Sequence, residues 1–267
     1  MAAVLFAAVA LASPAVAHGP APMQPAIAPL DQGTALATSQ QAIGRTLGDH
    51  RFIDAKGTRL ALGELRGKPL VISLIYTSCT HVCPMITQRL RLAVEEAQRV
   101  IGYDRFNVIT VGFDVLNDTP MRMAAFARAQ GVDLPSWRLL SGDEASVSAL
   151  ARDLGFTYAA SGGGFLHVAQ TTIVDSNGRV YRQVYGDDFP IPIFMEPLKE
   201  AVYGTVGSLT SLSSLVDRVR FLCTVYDPNQ GRYRISYAIA MGLLAGLISL
   251  GTTAVVISRA WLNSRRA

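Results

Sequence analysis

Cysteine is scarce in this chain, with three residues in 267: Cys79, Cys83 and Cys223. So low a count excludes the disulfide-dense scaffolds of small secreted domains. Charge is thin as well. Asp, Glu, Lys and Arg make up 16% of the residues, against about 25% in ordinary globular domains. There is no lysine cluster, no internal repeat and no sustained heptad pattern, and the first 17 residues contain no Lys or Arg.

What is abundant is apolar surface, at 50% of the residues, with 24 basic against 20 acidic side chains. Both figures are distorted by the chain ends. Residues 1–17 are almost entirely apolar and finish in Ala15-Val16-Ala17, the small-x-small pattern of a signal-peptidase site. Residues 235–258 form an uncharged run, followed by Arg259, Arg265 and Arg266. With those three arginines set aside, the remaining chain is almost neutral. No basic surface is left to hold nucleic acid.

The run at 235–258 has enough residues to cross a hydrocarbon core of about 30 Å as a helix. Arginines flank it on both sides and do not orient it, but a cleaved export signal does. The middle of the chain then lies on the periplasmic side of the cytoplasmic membrane, with residues 259–267 as a short cytoplasmic tail.

Residues 18–42 are rich in Pro, Ala, Gln and Ser without periodicity, and are expected to be a flexible leader. A hairpin-like stretch at 48–62 precedes Gly67-Lys68-Pro69 and the apolar run 70–76, which has the length and β-branching of a buried strand. A helix is expected from Pro84, with Ile86, Leu90, Val94, Ala97 and Ile101 on its inner face. Residues 106–113 suit a second buried strand, with Thr119 as cap of the next helix. A short strand at 137–140 and a helix from Asp143 follow. Strands at 171–174 and 179–185 flank the hairpin turn Asp175-Ser176-Asn177-Gly178, and a helix at 193–202 closes the unit. A βαβ unit joined to a ββα unit is the thioredoxin-like α/β order, here over 43–204. Residues 205–234 carry an amphipathic pattern and are expected to form a stalk.

Cys79 and Cys83 sit between the end of a buried strand and the start of a helix. A disulfide closing so short a loop removes little chain entropy, whereas a helix N-terminus favours thiolates. Redox chemistry or soft-metal binding suits such a pair better than a structural bridge. His167 precedes a strand antiparallel to the one before Cys79, which brings it to the same sheet edge. Two thiolates and one imidazole suit Cu(I), and with an added oxygen Cu(II); structural zinc would want four protein ligands.

The chain resembles the Sco/SenC proteins, membrane-anchored thioredoxin-fold factors that bind copper and serve assembly of the binuclear copper centre of cytochrome c oxidase. The resemblance rests on Gly67-Lys68-Pro69, on Cys79-Thr80-His81-Val82-Cys83-Pro84, on Asp114 with Asp118-Thr119, and on His167. It implies copper ligation by Cys79, Cys83 and His167, an acidic residue near the site at Asp114, and a copper-receiving oxidase subunit as partner. Two positions depart from the family's habit: His81 stands where an acid is common between the cysteines, and Leu166 where Asp commonly precedes the ligand His. The anchor follows the domain here, whereas in many relatives it precedes it.

A metallochaperone is therefore the first expectation. A thiol-disulfide oxidoreductase that keeps the receiving subunit's cysteines reduced is the second, with Cys79 or Cys83 as nucleophile. Against a general reductase, the loop has three intervening residues and no proline lies in 167–172. Thr80-x-x-Cys83 faintly resembles a peroxidase motif, but Tyr76 occupies the position of its upstream proline. Cys223 has no role legible from its surroundings. His18, if cleavage follows Ala17, becomes an N-terminal chelating residue able to bind copper weakly.

Overall fold

The computed structural model describes residues 30–162, 164–204, 224–227, 232–235 and 237–265. Residues 1–17, His18, Cys223 and most of the expected stalk lie outside these.

A seven-stranded mixed sheet is built on three parallel central strands, β3 (Leu70–Ile75), β4 (Asn107–Gly112) and β5 (Trp137–Ser141). All six β3 residues are buried, as the predominantly apolar run requires of a strand covered on both faces. Parallel neighbours need a crossover, supplied by α2 (Val82–Ile101) between β3 and β4 and by α3 (Pro120–Ala129) between β4 and β5. Beyond β3 the sheet turns antiparallel through β8 (Gln170–Val174) and β9 (Val180–Tyr185), and beyond β5 through the hairpin β1 (Arg51–Asp54) and β2 (Arg59–Ala61). The helices α4 (Glu144–Leu154) and α5 (Ile191–Tyr203) complete the domain, α5 lying beside α2.

The inner face expected for α2 is buried at all five named positions, Ile86, Leu90, Val94, Ala97 and Ile101. Asp143 caps α4 through Ser146 N–H at 2.7 Å, and Thr119 caps α3 through Arg122 N–H. Gly178, at φ +82°, makes the tight turn between β8 and β9.

Four local expectations change. First, the leader is not irregular throughout, because α1 spans Gln32–Gln41. Asp31 caps it, and Ser39 and Gln40 both reach the Tyr185 hydroxyl, at 2.8 and 2.7 Å. Its buried stripe is made of small residues, Ala35, Ser39 and Ala42, and so escapes a search for large apolar periodicity. Second, α2 begins at Val82, two residues before Pro84, which places Cys83 inside the first turn. Third, His167 is on a strand. The antiparallel pair β6 (Tyr158–Ser161) and β7 (Gly164–His167) forms a hairpin outside the main sheet.

Fourth, part of the expected stalk is a hairpin, β10 (Thr224–Asp227) with β11 (Arg232–Ile235). Tyr233 is buried. Its backbone N–H donates to Glu96 of α2 and its hydroxyl to Glu196 of α5, each at 2.7 Å. The ammonium group of buried Lys199 stands 5.3 Å from its ring centre. Burying one large amphipathic ring with both polar ends satisfied is what docks this hairpin on the domain. A 28-residue helix, α6 (Tyr237–Ser264), follows. Among the described residues, no helix is long and apolar enough to cross a membrane.

Candidate metal centre

The cysteine loop leaves β3 at Tyr76 and enters α2 at Val82. Two contacts hold its first half. Cys79 N–H donates to the Tyr76 carbonyl at 3.1 Å, and Thr77 donates both its N–H and its hydroxyl to Asp118 Oδ1, each at 2.7 Å. The other Asp118 oxygen accepts from Asp114 N–H at 2.9 Å. A buried carboxylate with three donors thus ties the end of β4 to the start of the cysteine loop. Burial raises its pKa despite those donors, with the Asp114 charge acting in the same direction. Gly112 makes the approach possible, since a Cβ there would lie 2.4 Å from the Cβ of Asp118.

Both cysteines of the loop are free thiols, Cys79 half-buried and Cys83 fully buried. Cys83 N–H points at Cys79 Sγ, 3.4 Å away, as expected of a sulfur at a helix N-terminus. Burial works against ionisation of Cys79. The backbone N–H groups of Cys83 and His81, the Cys83 thiol and the Tyr76 hydroxyl outweigh it and hold Cys79 below the ordinary thiol value. Cys83 goes the other way. Burial drives it far up, a backbone bond from Tyr76 opposes this, and the charges of Cys79 and Asp118 add to the rise. Two cysteines four residues apart are therefore shifted in opposite directions, Cys79 toward the thiolate and Cys83 away from it.

His167 reaches the same edge at the end of β7. Its ring packs among Phe156, Phe113 and Tyr76, with centroids at 5.4, 5.5 and 6.2 Å. Burial lowers its pKa, partly offset by a bond to the Val168 carbonyl. That bond, Nδ1 to oxygen at 3.1 Å, decides the tautomer. A carbonyl only accepts, so Nδ1 carries the proton and Nε2 of the neutral ring keeps its lone pair, the form a metal requires.

Cys79 and Cys83 stand four residues apart with Cys83 N–H on Cys79 Sγ, and His167 lies with its ring centroid 6.2 Å from that of Tyr76, where the cysteine loop begins. They are not gathered into a finished cage: among the described residues no group of three or more His, Cys, Asp or Glu side chains is poised to hold a metal ion. Asp114 follows the end of β4, its backbone N–H bonded to Asp118. Its carboxylate accepts from Asn117 Nδ2 at 2.8 Å within its own turn, while Asp118 is the acid that grips the cysteine loop. His81 is exposed at the cap position of α2, its Nδ1 2.8 Å from the Thr80 hydroxyl.

Residues 38–203, more than half of the chain, match the family model described as SCO1/SenC. The chain belongs to the SCO1/SenC family. Among curated relatives, the SCO2-like protein of Rickettsia felis (strain ATCC VR-1525 / URRWXCal2) is 26% identical over 161 residues, covering 57% of this chain and 75% of that protein. The SCO1/SenC family lipoprotein of Bacillus anthracis str. Ames is structurally similar, with a TM-score of 0.54 at 22% identity, covering 59% of this chain and 95% of its own. Yeast Sco1, solved with copper bound, gives a TM-score of 0.52 at 16% identity and covers 64% of this chain and 98% of its own. These likenesses establish the thioredoxin-like fold of the SCO1/SenC domain. The matched segment ends before the β10–β11 hairpin, so the docking through Tyr233 lies outside the family match.

Proposed function

We propose that this SCO1/SenC protein is a copper metallochaperone, binding copper through Cys79, Cys83 and His167 and delivering it to the binuclear copper centre of a cytochrome c oxidase subunit. The observation that carries this is the chemistry of the donor set: a thiol biased toward thiolate, a second thiol beside it, and a neutral imidazole with Nε2 free. Two sulfurs and one nitrogen fit a soft ion such as Cu(I), which is satisfied by three ligands. Copper-bound relatives such as yeast Sco1 support the choice of metal.

Titration of the reduced full-length protein with Cu(I), beside Cys79→Ser, Cys83→Ser and His167→Ala, tests the assignment. One copper per chain is expected, with each variant much weakened. Tight binding by Cys83→Ser would overturn the ligand set.

The contrast between Cys79 and Cys83 also favours a second function on the same residues, reduction of the partner's cysteines. Cys79 thiolate would attack a partner disulfide and expel one thiolate; Cys83 would then attack the mixed disulfide, release the second thiol and leave Cys79–Cys83 oxidised. Absence of copper binding with stoichiometric reduction of a partner disulfide would make this the primary role.

We infer as well that the domain is exported and held by a single span at 235–258. Support comes from the run's 24 residues without a charge. Resistance to alkaline carbonate extraction, lost on truncation before residue 235, is the expected result.

A further inference from the structure

The edge hairpin β1–β2 has one face open to solvent, where Arg51, Ile53 and Arg59 are all exposed. Register pairs Arg51 with Ala61, and pairs Ile53 with Arg59 on one side and Ser141 of β5 on the other, so these side chains share that face. Beside them lies a cavity of about 610 Å³, within the size range of small-molecule sites. Ile53, Val115 and Pro120 give it apolar walls, and Arg51 and Arg59 are the two basic residues that line it. These arginines stand diagonally across the hairpin, about 7–8 Å apart in the backbone, and neither forms an ion pair among the described residues. The acids of the wall are engaged elsewhere. Glu64 accepts from Ala61 N–H at 3.0 Å, Asp143 from Ser146 N–H at 2.7 Å, and Asp118 from Thr77 and Asp114. Ser141, only 7% exposed, lines the same cavity, and its hydroxyl has no hydrogen-bond partner among the described residues. A buried hydroxyl left unmatched is costly, and two neighbouring guanidinium groups repel each other until an anion joins them.

We propose that this cavity binds a small amphipathic anion, a single carboxylate, sulfonate or phosphate group on an apolar body, with Arg51 and Arg59 on the charged head and Ser141 as a further donor. Guanidinium forks hold such a head through charge-assisted hydrogen bonds. The start of α3, at Thr119 and Pro120, forms part of the wall and turns the positive end of a ten-residue helix toward the same space. The apolar body rests against Ile53, Val115 and Pro120. This site uses neither the thiols nor His167 and is independent of the copper-binding function proposed above. It adjoins the cysteine loop through Asp118, which lines the cavity and also holds Thr77.

The test is equilibrium dialysis of the full-length protein in detergent against naphthalene-2-sulfonate, with its neutral isostere naphthalene-2-sulfonamide alongside. Arg51→Gln, Arg59→Gln and Ser141→Ala are dialysed in the same detergent, so that uptake by micelles cancels between proteins. One saturable sulfonate per chain is expected. Each arginine variant should weaken it about tenfold, the scale of a lost hydrogen bond to a charged group, at an unchanged melting temperature, and the sulfonamide should bind the parent weaker by about the same factor. Ser141→Ala should weaken the sulfonate about threefold without lowering the melting temperature, because it removes a buried hydroxyl that the protein does not match. Sulfonate affinity within about twofold of the parent's in both arginine variants would overturn the site, as would equal binding of the sulfonamide or the absence of saturable binding. Unchanged affinity with a lowered melting temperature in Ser141→Ala would overturn it as drawn, since that pattern marks a merely structural hydroxyl.

Discussion

Asp118 Oδ1 accepts two hydrogen bonds from Thr77, one from its backbone and one from its hydroxyl, both at 2.7 Å. The end of one parallel strand is thereby fastened to the loop that leaves its neighbour. Asp118→Ala strips three donors of their acceptor and is expected to destabilise the domain by about 2–3 kcal/mol, the usual scale for buried donors left unmatched. Urea denaturation of the reduced protein measures it. Asp118→Asn retains an acceptor for Thr77 and should cost clearly less.

The same carboxyl has a pH signature. Its folded-state pKa is raised by burial, so the folded state holds the proton more tightly than the unfolded chain does. The stability this confers is fully present below the ordinary carboxyl value and is lost as pH rises through the raised one. Across that window the parent should lose stability relative to Asp118→Asn, which does not titrate. A difference that grew in the opposite direction would refute the assignment of burial as the dominant cause.

Cys79 and Cys83 should be separable by reactivity. Iodoacetamide at neutral pH is expected to modify Cys79 quickly and leave Cys83 untouched, because donors around Cys79 favour its thiolate and burial disfavours that of Cys83. As pH is lowered, the Cys79 rate should persist below the range of an ordinary thiol before falling. Peptide mass spectrometry locates the label, and Cys79→Ser should abolish the fast phase.

Phe113 touches Tyr76, Phe156, Tyr158, Phe165 and His167 with ring centroids between 4.8 and 5.5 Å. It is the common neighbour that fixes the histidine's hairpin against the sheet. Phe113→Ala is expected to cost about 3–5 kcal/mol, as aromatic deletions in a core do. It should also lower copper affinity without removing a ligand, whereas Phe113→Leu should preserve most of both.

Tyr233→Phe removes only the hydroxyl bond to Glu196 and should destabilise by about 1 kcal/mol. Tyr233→Ala empties the buried ring site and should expose the 224–235 segment to limited proteolysis while the thioredoxin-like domain stays intact.

The parts of this fold that were legible in advance share one property: their signals are local and large. β3 announces itself by an apolar, β-branched run, α2 by five apolar residues at helical spacing, and the β8–β9 turn by Asp-Ser-Asn-Gly. What escaped was carried by small residues or by distant partners. Helix α1 buries Ala35, Ser39 and Ala42 and gains its hold through Tyr185, far along the chain. The β6–β7 hairpin contains Gly162 and Gly164, in a stretch that reads as a loop. At the site, the candidacy of both thiols and the histidine was legible from topology and the family resemblance together. The difference between Asp114 and Asp118 was not, because it depends on which carboxylate turns inward beneath the glycine at 112.

Helix α2 joins two places described separately. Cys83 lies in its first turn and Glu96, which receives Tyr233, in its second half, about 13 residues apart or roughly 20 Å at the rise of an α-helix. The clasp by β11 comes just before α6 begins at Tyr237. The thiols are therefore not at the end of a slack tether, searching a volume set by linker length. They sit in the first turn of a rod whose second half is clasped by β11, so the docked hairpin and the cysteine loop are carried by one rigid helix.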